Sequence, residues 1–384
     1  MLPAGKVQRV LYELYAYYAI FAGVTSYRYD HKLRVYKNSR WTQLVASLGN
    51  LFVYVILPMD IYIVCMAGFK LDVVTDLTVR LETLINDVIC LLCVLQRVPR
   101  ERATKQLIQQ LLRLQRIHRF GGTSDARLEL QMERIYLLKF ALLWLLTAAV
   151  LLTMMMSFDK FGWDLENPVV ARVILVLYSL AIDGQDFAIH MHFLLSWRIC
   201  QLYLGLNARV RQLLRRNSAT ATLELQHLRW QHWQLALLFK RLNVAYNFIL
   251  LSSRFSLIVT AAALGYYISV FHALQYHVSF IVAFFALYVL IALDCYMIDL
   301  IYDLTNRSHR DTAWQLRRHN LIRRPNACLA NGCELFALQI ACFPLDVKPY
   351  GLFAIGKKTW LSSIVCIFSW MIVLVQYRML AEKS

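Results

Sequence analysis

The feature that most constrains the fold is a run of 39 residues without a formal charge, from Phe255 to Leu293. A helix needs about 20 mostly apolar residues to cross the hydrocarbon core of a bilayer. The run is therefore long enough for two spanning helices, and we place a tight turn between His272 and His277. Because hydrophobic residues make up 59% of the 384-residue chain, which is more than a soluble domain carries, we predict an all-α membrane protein.

Seven spanning helices are predicted in all. Residues 41–304 contain the first six with long cytosolic connections, and residues 353–377 contain the seventh. Spans one to four cover residues 41–69, 71–98, 140–158 and 169–197. The second span is the least apolar, because Arg80, Glu82, Asn86 and Asp87 crowd into one half of it, where they can line a cavity.

The remaining segments are assigned to the two sides of the membrane. Residues 1–40 are predicted to form a cytosolic amphipathic segment along the inner membrane face, since Glu13 interrupts the apolar stretch and no cleavage site follows it. Residues 198–241 form a polar connection with helical periodicity. Residues 305–352 form a cytosolic anchor region with a short helix between Asn331 and Phe343, and residues 378–384 form an extracellular tail.

The distribution of basic residues predicts this orientation. Of the 41 lysines and arginines, 34 precede the first span or lie in the second, fourth and sixth connections, and 5 lie in the other connections and the tail. Positive charge favours the cytosolic side, so the N-terminus is expected in the cytosol and the C-terminus outside. A G-protein-coupled receptor has the opposite orientation, so no G protein partner is expected. The basic residues lie between apolar runs, a distribution that indicates membrane orientation and not nucleic-acid binding.

No pattern indicates an enzyme, a cofactor or a metal site. The sequence contains no glycine-rich phosphate loop, no HExxH motif and no paired-cysteine zinc spacing. His190 and His192 are two residues apart, which places them about 200° apart around a helix, so one ion cannot easily bind both. The glycosylation sequon at Asn306 falls in a cytosolic segment, where it should stay unmodified.

The last span carries an unusual polar residue. One helix face carries Ser369, Ile372, Val373 and Gln376. Another face carries Trp370 and Tyr377, which are seven residues apart. A primary amide in lipid is costly unless it meets water or a partner. Gln376 therefore either lines a wet path or bonds to a neighbouring helix.

Arg254 lies near the middle of the fifth span. A charge at that depth costs about 2.5–3.5 kcal/mol on insertion scales unless it is paired or hydrated. We expect Arg254 to pair with Asp183 of the fourth span or Asp294 of the sixth. Such a pair is either a static bridge or one that changes between closed and open states.

Several segments resemble the insect gustatory receptors. Ser369-Trp370, five apolar residues and Gln376-Tyr377 resemble the terminal Thr-Tyr-(five apolar)-Gln-Phe motif of that family, with conservative replacements at every anchor except Gln376. Further likeness lies in AIFAGVTSYRYD, IHMHFLLSWR and DLIYDLTNRSHRD, and together with the topology the resemblance covers essentially the whole chain.

The resemblance implies an odorant/gustatory receptor channel fold in the plasma membrane of a sensory neuron. In that fold, four identical or related subunits surround one pore lined by the outer part of the last helix, and the cytosolic helix ends form an anchor domain. A small tastant binds within each subunit and opens a non-selective cation pathway. Carried over by motif, Gln376 faces the pore near its outer mouth and Val373 is a candidate hydrophobic gate.

The tastant is expected to bind among the outer halves of spans two to six. The candidate residues there are Arg80, Tyr178, Tyr266, Tyr267, Tyr276 and Phe284. Aromatic rings with a few polar groups suit a small amphipathic ligand, although aromatic residues also anchor helices at the membrane interface. Two other functions stay open: an ion-coupled secondary transporter, since charges at mid-membrane also mark carriers, and an obligate subunit of a heteromeric chemoreceptor.

Overall fold

The computed structural model describes residues 6–30, 35–66, 73–117, 126–160, 168–216, 221–273, 278–323 and 327–381. The helices are α1 (Lys6–Phe21), α2 (Arg40–Met66), α3 (Val73–Leu95), α4 (Arg97–Ile117), α5 (Ala126–Lys160), α6 (Pro168–Arg216), α7 (Ala221–Ala273), α8 (Val278–Arg323), α9 (Ala327–Cys342) and α10 (Lys357–Ala381). Two strands, β1 (Tyr27–Asp30) and β2 (Val35–Asn38), pair antiparallel, with Tyr27 opposite Asn38. The predicted all-α architecture is confirmed apart from this small hairpin, which the sequence analysis did not anticipate.

Among the described residues, six helices are long and apolar enough to cross a membrane: α2, α5, α6, α7, α8 and α10. Helix α3 occupies the position of the predicted second span and is 23 residues long. It is not among the six because its charged residues, including Arg80, Glu82 and Asp87, are too many for an apolar spanning segment. Helix α7 ends at Ala273 and helix α8 begins at Val278, each one residue after the corresponding histidine of the predicted turn. Tyr276 lies outside the described residues.

Helices α6, α7 and α8 are much longer than a bilayer requires, with 49, 53 and 46 residues. At 1.5 Å per residue they extend about 70–80 Å, more than twice the roughly 30 Å hydrocarbon core. The predicted polar connection at residues 198–241 is therefore the continuation of α6 and α7. These extensions and α9 pack into the largest apolar cluster, which includes Leu206, Phe239, Ile301 and Phe336.

Helix α1 fills a groove of the bundle. Its Tyr15 is fully buried and donates a hydrogen bond to the Phe187 carbonyl oxygen at 2.8 Å. Its Tyr18 donates to Asp183 Oδ2 at 2.8 Å. The opposite face is also apolar but exposed, at Val10, Leu14, Tyr17 and Phe21. The predicted amphipathic helix thus has two apolar faces, one of which packs against α6.

The chain after α1 crosses α2 at close range. Gly23 has a positive φ of 72°, a conformation that favours glycine. A Cβ atom on Gly49 of α2 would lie 2.4 Å from the Phe21 carbonyl oxygen. Two glycines therefore let the two backbones approach each other.

The final helix differs from its predicted limits at both ends. It begins at Lys357 instead of residue 353 and continues to Ala381, into the predicted tail. Its first turn is tied to α8, because the Lys357 backbone N–H donates to Asp303 Oδ2 at 3.2 Å. The preceding short helix, α9, overlaps the predicted helix between Asn331 and Phe343 but begins four residues earlier, at Ala327.

Candidate functional site

A cavity of about 280 Å³ lies between α2, α3, α5, α6, α7 and α8. Its walls are mainly apolar, and they include Tyr178, Tyr267 and Phe284 from the predicted pocket. Aliphatic side chains of α5 to α8, such as Leu146, complete the apolar surface. The volume is close to the lower end of the range for small-molecule sites, which suits a small ligand.

A polar wall joins α3 to α7 on one side of the cavity. Tyr267 donates its hydroxyl hydrogen to Glu82 Oε2 at 3.1 Å. Ser256 donates to Asn86 Oδ1 at 2.8 Å, and the Asn86 amide donates to Thr260 Oγ1 at 3.2 Å. The polar residues that made α3 the least apolar span thus include two, Glu82 and Asn86, that line the cavity.

Four carboxyl groups line the cavity: Asp60, Glu82, Asp186 and Asp294. Asp294 is ion-paired with Lys139 of α5, whose side chain is buried. The sequence analysis had counted Lys139 among the residues preceding span three, so this pair was missed. The signal that could have found it is helix length, since α5 begins 14 residues before the predicted span.

Two other residues of the predicted pocket, Arg80 and Tyr266, are not among the described residues that line the cavity. Arg80 donates from Nε to Asp76 Oδ1 at 3.0 Å and from Nη1 to the Cys65 carbonyl oxygen at 2.8 Å. The Tyr266 hydroxyl is 2.8 Å from Thr75 Oγ1, and the Tyr266 side chain is fully buried. Tyr276 lies outside the described residues.

Arg254 pairs with a different aspartate from those predicted. Its guanidinium contacts Asp299 of α8, and Nη1 lies 2.6 Å from Cys295 Sγ. The expectation that Asp183 or Asp294 would be the partner is wrong in this structure. Asp294 and Asp299 are about 140° apart around α8, so Asp294 turns toward Lys139.

The other predicted partner, Asp183, is held by neutral groups. Its two oxygens accept hydrogen bonds from Tyr18 at 2.8 Å and from Thr147 at 3.2 Å. Both donors come from helices other than α7. Asp183 therefore connects α6 to α1 and α5.

The two histidines of α6 contact different neighbours. His190 lies between the rings of Tyr15 and Phe140, with centroid distances of 4.9 and 4.6 Å. His192 Nε2 is 2.9 Å from the Tyr302 hydroxyl and 3.2 Å from Asn243 Oδ1. These contacts match side chains on opposite sides of one helix.

Helix α10 has one packed and one exposed face within the chain. Ile367 is buried, and the Met371 side chain lies against Gly265 of α7, where an added Cβ atom would be 2.6 Å from Met371 Sδ. The residues exposed on this helix include all six predicted from its terminal motif: Ser369, Trp370, Ile372, Val373, Gln376 and Tyr377. An apolar surface of this size on a spanning helix meets either lipid or another subunit.

Comparison with known proteins gives matches along nearly the whole chain. The 7tm chemosensory receptor family model matches residues 12–381. The insect olfactory receptor OR5 from Machilis hrabei superposes with a TM-score of 0.70 at 12% identity, covering 96% of this chain and 98% of that one. Its complex with eugenol gives 0.71 at 15% identity, covering 96% and 99%. At these identities the likeness establishes the fold, and no curated protein sequence matches.

Proposed function

The chain belongs to the 7tm chemosensory receptor family, and we propose on that premise that it is a gustatory receptor acting as a ligand-gated, non-selective cation channel. Membership confirms the resemblance read from the terminal motif, and it places the chain in a receptor family, not in an enzyme family. The proposed ligand is a small tastant, bitter or another contact cue, whose detection leads to acceptance or avoidance. The proposed location is the plasma membrane of a sensory neuron.

The observation that carries the proposal is a wall shared by the cavity and α10. Leu257 of α7 and Ile291 and Cys295 of α8 line the cavity. Leu257 and Cys295 also belong to the apolar cluster that contains Ile367 of α10, and Ile291 packs against this cluster. Because packed side chains transmit displacement, a ligand that moves this wall can shift α10.

The cavity is the proposed tastant site. It combines apolar walls with the polar groups Glu82, Asn86 and Thr260, the pattern expected for a small amphipathic ligand. The Machilis hrabei receptor of the same fold has been solved with eugenol, a small organic molecule. This supports small-molecule binding as the input of the receptor.

The exposed face of α10 is the proposed pore surface. Four copies of the chain, or copies combined with related receptors, would bring Ser369, Ile372, Val373 and Gln376 around one axis. Val373 would then close the pore by dewetting and Gln376 would contact ions near the outer mouth. Trp370 and Tyr377 would pack between neighbouring subunits.

Patch-clamp recording with a panel of bitter compounds and sugars tests this function. We expect ligand-evoked unitary cation currents, a raised resting conductance in Val373→Ser, and an altered ratio of calcium to sodium permeability in Gln376→Glu. Val244→Ser is the matched control, because Val244 is exposed on α7 away from α10. Native mass measurement should give four chains per particle.

Three outcomes would change the assignment. Saturable uptake of a substrate without unitary currents would favour a secondary transporter. Currents that appear only on co-expression with another receptor would make the chain an obligate heteromer subunit. If the channel responds to ligands but neither α10 substitution changes its resting conductance or ion selectivity, α10 does not line the pore.

A further inference from the structure

We propose that the cavity selects ligands that carry a protonated amine, with the carboxylate of Asp60 as the counter-ion. The inference rests on the proposed function, because it names the ligand class of the proposed tastant site. It is carried by the state of Asp60 and by the charge balance of the cavity lining.

Asp60 is buried without a partner. Its residue is 1% exposed, and neither carboxylate oxygen has a hydrogen-bond partner in the described part of the chain. It stands on α2 and lines the cavity. A carboxylate withdrawn from water costs several kcal/mol unless a charge or a donor satisfies it. An ammonium group in the cavity supplies both.

The other carboxyl groups of the cavity lining carry charge of the same sign as Asp60 when they are ionised. Glu82 and Asp186 add two further carboxyl groups, and Asp294 is already engaged by Lys139. No lysine, arginine or histidine is among the described residues that line the cavity. A cation is therefore attracted to this cavity, whereas an anionic ligand meets uncompensated carboxylates.

The remaining lining defines the body of the ligand. Tyr178, Tyr267 and Phe284 bring aromatic rings to the walls, and ring faces attract cations as well as apolar groups. With about 280 Å³ available, the best fit is a small apolar skeleton bearing one amine. A neutral alcohol of the same shape can donate a hydrogen bond to Asp60, but it leaves the carboxylate charge without a counter-ion.

The test compares 2-phenylethylamine with 2-phenylethanol, which have the same skeleton and different charge. Binding of each is measured by calorimetry on the purified full chain in lipid nanodiscs. We expect the amine to bind at least about tenfold more tightly, and Asp60→Asn to remove that advantage while changing the affinity for the alcohol less than about twofold. Asp60→Glu, which keeps the charge, should retain the preference.

Asp346→Asn is the matched control, since Asp346 is exposed outside the spans and away from the cavity. Equal affinity for the two compounds, no loss in Asp60→Asn, or no binding of the amine at about 10 mM would each overturn the inference. If Asp60→Asn does not fold, the wild-type comparison and Asp60→Glu decide. Currents evoked only by neutral ligands would refute the amine site and support the channel. Amine binding without ligand-evoked currents would support the amine site and refute the channel.

Discussion

At the residue scale, buried charges hold the helices together. Arg254 joins α7 to α8 through Asp299, and Lys139 joins α5 to α8 through Asp294. Arg254 and Asp299 are both almost completely buried. Removing one partner of a buried ion pair typically costs about 3–5 kcal/mol, because the other charge stays buried without compensation.

This pairing predicts a specific coupling between substitutions. Arg254→Met and Asp299→Asn should each lower the thermal stability of the purified receptor strongly, and the double variant should lose much less than the sum of the two. Thermal unfolding in one detergent measures all three. Arg254→Met combined with Asp294→Asn is the control and should be closer to additive. Coupling to Asp294 or Asp183 in place of Asp299 would contradict the structure.

A histidine pair outside the apolar spans should make stability depend on pH. His232 of α7 and His309 of α8 stack at a centroid distance of 4.6 Å. Burial lowers the pKa of His232 to about 3, and the charge of His309 acts in the same direction. Burial also lowers the pKa of His309 to about 4, against the opposing effect of the Phe343 and Ile340 carbonyl groups.

Because these folded-state pKa values lie below the ordinary value near 6.5, the unfolded chain binds protons first as the pH falls. The stabilisation is complete above pH 6.5 and should then decrease by up to about 1.4 kcal/mol per pH unit for each histidine, down to the folded pKa. Unfolding temperatures of wild type and the His232→Phe, His309→Phe double variant at pH 7.5, 6.0 and 5.0 measure the difference. Identical slopes would show that the pair does not titrate on unfolding.

At the element scale, helix crossings depend on small residues. Gly49 allows the chain after α1 to cross α2, and Gly265 allows α10 to approach α7. The two sites differ in what a Cβ atom would meet. At Gly49 it would meet the rigid backbone of Phe21, and at Gly265 the flexible end of Met371. The first crossing therefore tolerates no side chain, while the second can adjust.

Gly49→Ala should accordingly destabilise the receptor by about 1–3 kcal/mol, because overpacking displaces a backbone. Gly184→Ala is the matched control. Its Cβ atom would lie 3.6 Å from the Ala22 carbonyl oxygen, an ordinary contact, and alanine is the better helix former. Unfolding temperatures of the two variants should move in opposite directions or differ clearly. Equal effects would mean that α1 is not seated on α2 as described.

At the scale of the whole molecule, the described part of the receptor is a bundle of long helices with a second packed region beyond the spans. The extensions of α6, α7 and α8 and the short α9 surround the largest apolar cluster. Helix α10, by contrast, is mostly exposed within the chain, and in the proposed tetramer this surface makes the contacts between subunits.

The orientation of this bundle is a separate prediction from the basic-residue asymmetry. On intact cells, an antibody should reach an epitope appended after Ser384 and should reach one placed before Met1 only after permeabilisation. Asn306 should carry no glycan. The permeabilised sample controls for epitope quality. Surface staining of the N-terminal epitope, or a glycan on Asn306, would invert the proposed topology.

The sequence by itself determined the helices and the family of this protein. Apolar length decides whether a segment can cross a bilayer, because every backbone polar group must bond within the segment. That information is local, so the apolar stretches could be located from the sequence, although α5 begins 14 residues before its predicted span and α6 continues to Arg216, beyond the predicted end at residue 197. The terminal motif around Gln376, combined with the predicted topology and the further similar segments, indicated the chemosensory receptors.

Only the tertiary structure decided which residues meet. The partner of Arg254 depends on the rotation of α8, which the sequence leaves undetermined among Asp294, Asp299 and Asp303. The cavity depends on six helices at once, so Asp60, Asn86 and Lys139 gained their environment only from packing. The hydropathy of a segment indicates whether it lies in lipid or in water, and it can be read from that segment alone. A binding site is formed by side chains from segments that are distant in the sequence, so it requires the tertiary structure.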